Sequence, residues 1–192
     1  MAKQVFFSFH YQDVIDFRAN VVRQHKLTKD DSAGYFDASI WEEAKKTGSS
    51  ALKRLINDAL RSTSVTCVLI GSETYNRRWV KYEIFRSIYK CNNLLGIHIN
   101  NISDKYGRTK LKGYNPFDYL AVEISEDGSQ YAFLECENQK WKYWEEIEST
   151  RWFSNDYFDK RLSGTCKQLS AFFPVYDWIN DNGYKNFSKW ID

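Results

Sequence analysis

Apolar residues in the first hundred positions come in short blocks, and the spacing within those blocks alternates between two patterns. Val5, Phe6, Phe7 and Phe9 are apolar at nearly consecutive positions, as expected of a central strand buried on both faces. Val14, Phe17, Val21 and Val22 recur every three to four residues. They predict a helix over Tyr11 to Lys26, with Asp13 and Asp16 suited to its first turn. Gly34 to Ala38 reads as a short strand and Ser39 to Gly48 as a loop. Ala51, Leu52, Leu55, Ile56, Ala59 and Leu60 form one face of a helix over Ser49 to Arg61. Val65 to Ile70 is the clearest buried strand. Trp79 to Lys90 is a helix with Ile84, Phe85 and Ile88 turned inward, and Leu94 to Ile99 is a further strand. Strands alternating with helices predict an α/β fold, a parallel sheet covered by helices on both faces.

Beyond Asn100 the pattern changes. Asp104 to Pro116 is polar, and short strands follow at Tyr119 to Ile124, Gln130 to Glu135 and Lys140 to Trp144. Their turns fall at Glu126-Asp127-Gly128 and Glu137-Asn138-Gln139. This predicts a small antiparallel meander, expected to cover the sheet edge or else to receive a cue or a partner. Gly164 to Asn180 reads as a closing helix bent near Pro174, and Lys185 to Asp192 as a last short helix. The length of 192 residues suits a single domain, with a core over about 1–102 and an extension over 103–192 packed on it.

Composition narrows the function classes. The net charge of +2 leaves no basic footprint for nucleic acid. No apolar run approaches the ~20 residues of a membrane span, and the N-terminus lacks a signal-peptide core, so a cytoplasmic location without a membrane is expected. Cys67, Cys91, Cys136 and Cys166 are widely spaced, and His10, His25 and His98 form no ligand pattern, so no metal is expected.

Ligands of open parallel sheets bind beyond the carboxyl ends of the strands. There the chain offers Ser8, Phe9 and His10 after the first strand, Asp37, Ala38 and Ser39 after the second, and Gly71, Ser72 and Glu73 after the third. The next helix opens with Trp79 and Glu83, four residues apart on one face. The P-loop and dinucleotide-fold glycine patterns are absent.

These blocks resemble those of TIR domains. Val5 to Asp13 is similar to their first box. Cys67 to Ser72 with Asn76-Arg77-Arg78-Trp79-Val80-Lys81-Tyr82-Glu83 resembles the strand and W-x-x-x-E helix of the NAD-cleaving members. Phe36 to Ser39, Asn115 to Leu120 and Tyr176 to Trp178 extend the resemblance across the chain, toward the stand-alone TIR-like proteins of the bacterial Thoeris anti-phage system. The resemblance implies a flavodoxin-like fold and NAD+ as substrate rather than cofactor. It implies a cyclic ADP-ribose product that activates a separate NAD-consuming effector, and self-association through the segment from Ser39 to Gly48. It makes Glu83 the catalytic glutamate and has Trp79, Phe6, Ser8 and Asp37 line or support the pocket; Phe9, Ser39 and Ser72, which follow the strand ends, are expected at the substrate from their position alone.

One carboxylate suffices for such a substrate. Glycosidases use two because a sugar alkoxide needs a proton to leave. The nicotinamide of NAD+ is a pyridinium that departs neutral, so the protein need only stabilise an oxocarbenium-like ribose. Two other readings stand beside this one: a TIR-like adaptor that signals by assembly without chemistry, and a deoxyribosyltransferase-like enzyme with a nucleophilic glutamate.

Overall fold

The structure, a computed structural model, describes residues 4–10, 13, 17–25, 48–148 and 150–192. Strands β1 (Val5–Phe9), β2 (Val65–Ile70) and β3 (Asn93–His98) lie side by side in parallel. Helices α1 (Arg18–Arg23), α2 (Ser49–Leu60) and α3 (Arg78–Tyr89) flank them. The antiparallel strands β4 (Leu120–Ile124), β5 (Gln130–Glu137), β6 (Lys140–Tyr143), β7 (Trp152–Ser154) and β8 (Cys166–Gln168) form a second sheet. The chain then returns to the first sheet as β9 (Val175–Asp177) and ends in helix α4 (Gly183–Trp190).

Alternation along the strands divides the interior. Val5 and Phe7 of β1, with Val65, Cys67 and Leu69 of β2, pack against Ala19 and Val22 of α1 and Phe187 of α4. Phe6, Val68 and Ile70 point the other way, toward Ile56 and Leu60 of α2 and Val80, Ile84 and Phe85 of α3. Both faces are buried, so β2 is apolar at every position except Thr66, and all six of its residues are buried. The antiparallel sheet lies on the far side of α3, where Phe85 meets Phe133 with ring centroids 4.4 Å apart and Trp144 at 5.6 Å. The layers therefore run α1 and α4, parallel sheet, α2 and α3, antiparallel sheet.

The predicted α/β architecture and the meander are present. The hairpin between β5 and β6 turns through Asn138 and Gln139, both with positive φ (50° and 62°), the two-residue geometry that fits strand twist. Three expectations are corrected. Gly164 to Asn180 is not a helix: Cys166–Gln168 pairs with β4, a short 3-10 turn follows at Leu169–Ala171, and Val175–Asp177 pairs in parallel with β3. Long-range pairing overrides the local helical spacing here, and the Gly96 N–H donates to the Pro174 carbonyl at 2.9 Å, a contact that needs no N–H from proline. For the same reason the meander does not cover the edge of the parallel sheet, which β9 occupies next to β3. Phe17 does not face inward. It is 55% exposed with φ 65°, and α1 buries Arg18, Ala19 and Val22 instead. The predicted strand Gly34 to Ala38, and the loop from Ser39 up to Gly48, lie outside the described residues.

Candidate active site

The residues of α3 carry neither glycine nor proline, and the helix is buried around most of its circumference because it lies between two sheets. Its antiparallel-sheet side carries Phe85. Its parallel-sheet side carries Glu83, a residue only 6% exposed. Ser8, fully buried on β1, donates its hydroxyl to Glu83 Oε2 at 2.5 Å. Removal from water disfavours the charged carboxylate and pushes its pKa up to about 8; the Ser8 hydrogen bond acts the other way.

The backbone at Glu83 is held as well. Ser87, one turn on, donates its hydroxyl to the Glu83 carbonyl at 2.6 Å and lies 2.8 Å from the Thr66 hydroxyl on β2. Asn92 completes the chain by donating to Thr66 Oγ1 at 3.2 Å and Thr63 Oγ1 at 3.0 Å. On the opposite face, Lys81, only 8% exposed, pairs with Glu135 of β5 at 2.8 Å. Arg78 grips Glu146 through Nε at 3.0 Å and Nη2 at 2.7 Å. The helix is thus fixed from both sides, and the direction of the Glu83 side chain is set by Ser8.

The predicted site residues do not all converge. Phe6 shares the strand face of Ser8 and Glu83 but is 1% exposed, in the core beneath α2 and α3. Trp79 is half-buried one turn before Glu83, edge-on to Tyr82 at 5.9 Å, with the Arg78 guanidinium 5.2 Å from its ring. Ser72 is partly exposed just past β2. Phe9 is not brought to Glu83. Strand alternation puts it on the opposite face, packed with the α1 and α4 cluster, with the Arg23 guanidinium 5.3 Å from its ring. Asp37 and Ser39 lie outside the described residues.

The exits of β2 and β3 are closely packed. The Gly71 N–H donates to Thr74 Oγ1 at 2.9 Å, and Thr74 reaches the buried Asp13 carboxylate at 3.5 Å. A Cβ on Gly71 would lie 2.3 Å from the Asp13 oxygens, and one on Gly113 only 1.9 Å from the Gly71 carbonyl oxygen. Lys110 N–H donates to the Asn100 carbonyl at 3.0 Å beyond β3.

Sequence reasoning missed the supports of Glu83. Thr66 is the one hydroxyl in the otherwise apolar run of β2, and that anomaly was the available signal; Ser87, next to Arg86, gave none. Lys81 and Glu135 are 54 positions apart, with no local signal linking them.

Among the described residues the arrangement is one desolvated carboxylate, held by one hydroxyl donor, on the face of a helix that also presents an indole. The family model described as Thoeris protein ThsB, TIR-like domain, matches residues 6–104, which include Ser8, Thr66, Trp79, Glu83 and Ser87. Across 194 aligned residues the chain is 56% identical to the protein named "Putative cyclic ADP-D-ribose synthase ThsB1" of Bacillus cereus (strain MSX-D12), with 100% of each covered. A match over half the chain and a likeness along its whole length lead to one conclusion: this chain belongs to the ThsB family of TIR-like Thoeris proteins.

Proposed function

We propose that this protein cleaves NAD+ at the nicotinamide–ribose bond and closes the remainder into a cyclic ADP-ribose isomer. The product is a messenger in anti-phage defence that switches on a separate NAD-consuming effector. The observation that carries this reading is the buried Glu83 carboxylate with the Ser8 hydroxyl as its donor. A second carboxyl group would be needed to protonate a sugar alkoxide, but nicotinamide leaves without a proton.

The raised pKa has a part in this scheme. Without substrate, burial keeps Glu83 largely protonated at neutral pH. A substrate bringing a fixed positive charge against it favours the carboxylate form. The proton passes to solvent, and the anion then faces the ribose where positive charge develops as the C–N bond breaks. Water as acceptor gives ADP-ribose. A nucleophilic atom of the same molecule, held near the ribose carbon, gives the ring. Trp79 and Ser72 flank the substrate, with Asp37 and Ser39 contributing from the preceding segment. Phe6 shapes the floor from within the core. Self-association through the Ser39 to Gly48 segment, action in the cytoplasm where NAD+ is abundant, and independence from any resident cofactor belong to the same proposal.

Among the described residues no helix is long and apolar enough to cross a membrane. The test is incubation with NAD+ followed by chromatographic separation of nicotinamide, ADP-ribose and cyclic products. A cyclic product that disappears in Glu83→Gln supports the proposal. ADP-ribose alone reduces it to a glycohydrolase. Wild-type protein that leaves NAD+ intact at micromolar concentration and above favours the adaptor reading.

A further inference from the structure

At the end of α3 remote from its first turn, the chain encloses a groove outside the site described above. Two adjoining clefts, of about 470 and 540 Å³, share Glu148, Thr150 and Trp152. The larger lies between the end of α3 and β7. Its floor includes Tyr131 and Phe153, both buried, and its walls include Tyr89, Trp152 and Tyr157. These rings pack on one another: Tyr89 meets Phe153 at 5.3 Å and Tyr131 meets Phe153 at 5.6 Å. The charged residues of this lining are Glu148 and Asp156, both exposed, with no lysine or arginine among them.

The protein already illustrates what such a rim holds. The Arg86 guanidinium, arriving from α3, lies 4.7 Å from the Tyr89 ring centroid and 3.3 Å from the Glu148 carboxylate. A planar cation thus rests on an aromatic face beside an acid, the geometry that favours arginine. Asp156, the other acid of the lining, makes no ion pair among the described residues, and Trp152 and Tyr157 line the same cleft. The second cleft continues the groove past Glu145 and Arg151, which pair with each other at 2.7 Å. Together the clefts exceed what one side chain needs and provide room for flanking backbone.

We propose that this groove binds a basic segment of a partner polypeptide, with an arginine side chain entering the aromatic cleft and its guanidinium meeting Asp156. The assignment is independent of the reaction at Glu83. It gives the extension a recognition surface joined to the catalytic helix through Tyr89, which lines the cleft, and through the Arg86–Glu148 pair at its rim.

The test uses the full-length protein, labelled with 15N, and the pentapeptide acetyl-Gly-Gly-Arg-Gly-Gly-amide. The matched peptide with uncharged citrulline in place of arginine, and N-acetylarginine amide alone, serve as comparators. The arginine pentapeptide is expected to shift resonances of Tyr89, Cys91 and residues 150–157 in a saturable way. Its affinity should exceed that of the citrulline peptide at least tenfold, and Asp156→Asn, an exposed and structurally mild change, should remove most of that advantage. The arginine peptide should also bind severalfold more tightly than N-acetylarginine amide. Equal binding of the citrulline peptide, shifts confined to other residues, or full affinity in Asp156→Asn would overturn the proposal. N-acetylarginine amide binding as tightly as the peptide would overturn the polypeptide partner in favour of a small organic cation.

Discussion

The two sides of α3 are built on opposite principles. Toward the antiparallel sheet, Phe85 and Ile88 enter a cluster of rings and aliphatic chains, and the one buried charge, Lys81, is neutralised by Glu135. Toward the parallel sheet, the same helix spends burial on polar groups: Glu83 against Ser8, and Ser87 against Thr66. The first side can be tight and apolar because it only has to hold. The second leaves a carboxylate in surroundings that oppose its charge, a standing cost that the first side offsets. Perturbed ionisation in a position tied down by its neighbours is the usual mark of a working group rather than a packing group.

The sharpest way to break this contrast is Glu83→Gln. Removing the only carboxylate held by Ser8 should lower product formation from NAD+ at least about a thousandfold, roughly 4 kcal/mol in the barrier. Stability should move the other way. The unfolded glutamate ionises near 4.5 and the folded one at about 8, so as pH rises between these values the unfolded state sheds a proton that the folded state keeps. Wild-type stability therefore falls across that window, while the glutamine variant has nothing to lose. Thermal melts should coincide near pH 4 and separate progressively up to pH 8.5, with Glu83→Gln the higher. A variant less stable than wild type at pH 8.5 would mean that the carboxylate holds the helix in place.

On the apolar side the expectation is reversed. Phe85→Ala should cost about 3–5 kcal/mol of stability, because a buried ring facing Phe133 and Trp144 is replaced by a cavity. Chemical denaturation measures it. Turnover per folded molecule should change far less than in Glu83→Gln, since Phe85 touches neither Ser8 nor the carboxylate.

The sequence disclosed these two sides unequally. The period of α3, the apolar run of β2 and the i, i+4 pair Trp79 and Glu83 were readable because each is a local pattern. Lys81 was not readable as a buried residue, because the sheet that buries it begins some forty positions later at Leu120. The strands Trp152–Ser154, Cys166–Gln168 and Val175–Asp177 are three residues each, too short to show an alternation, and their partners are far away in sequence. In the site, Phe9 was assigned by proximity to Ser8, whereas strand alternation sends neighbours to opposite faces. Glu83 itself could have been a solvated helix carboxylate on sequence alone, and its burial is what only the fold shows.

The Lys81–Glu135 pair tests how much of the holding side is charge. Glu135→Gln alone leaves the Lys81 ammonium in a mostly buried position and should cost about 1–3 kcal/mol, the penalty for a buried group left without its partner. Lys81→Met combined with Glu135→Leu should recover most of that loss, as hydrophobic replacement of buried pairs commonly does. Urea midpoints of the single and double variants decide it. Failure of the double variant to recover would make the pair a specific clamp rather than a neutralised charge.

The smallest effect is the most informative about the working side. Ser8→Ala removes the one hydroxyl donor to Glu83 among the described residues, which favours its ionised form, while burial stays in place. The carboxyl group should then be harder to ionise, and the acid limb of the kcat/KM profile for NAD+ should move up by about one pH unit, worth ~1.4 kcal/mol. The rate at high pH should recover toward wild type. A serine that merely filled space would instead lower the rate by the same factor at every pH, and a serine that contacted substrate would raise KM without moving the limb. The wild-type kcat/KM limb lies at about 8, the substrate-free value, whereas the kcat limb lies lower because a bound pyridinium favours the carboxylate. A limb that stays in place when Ser8 is replaced would separate the hydroxyl from the ionisation of Glu83 and leave the 2.5 Å contact as packing alone.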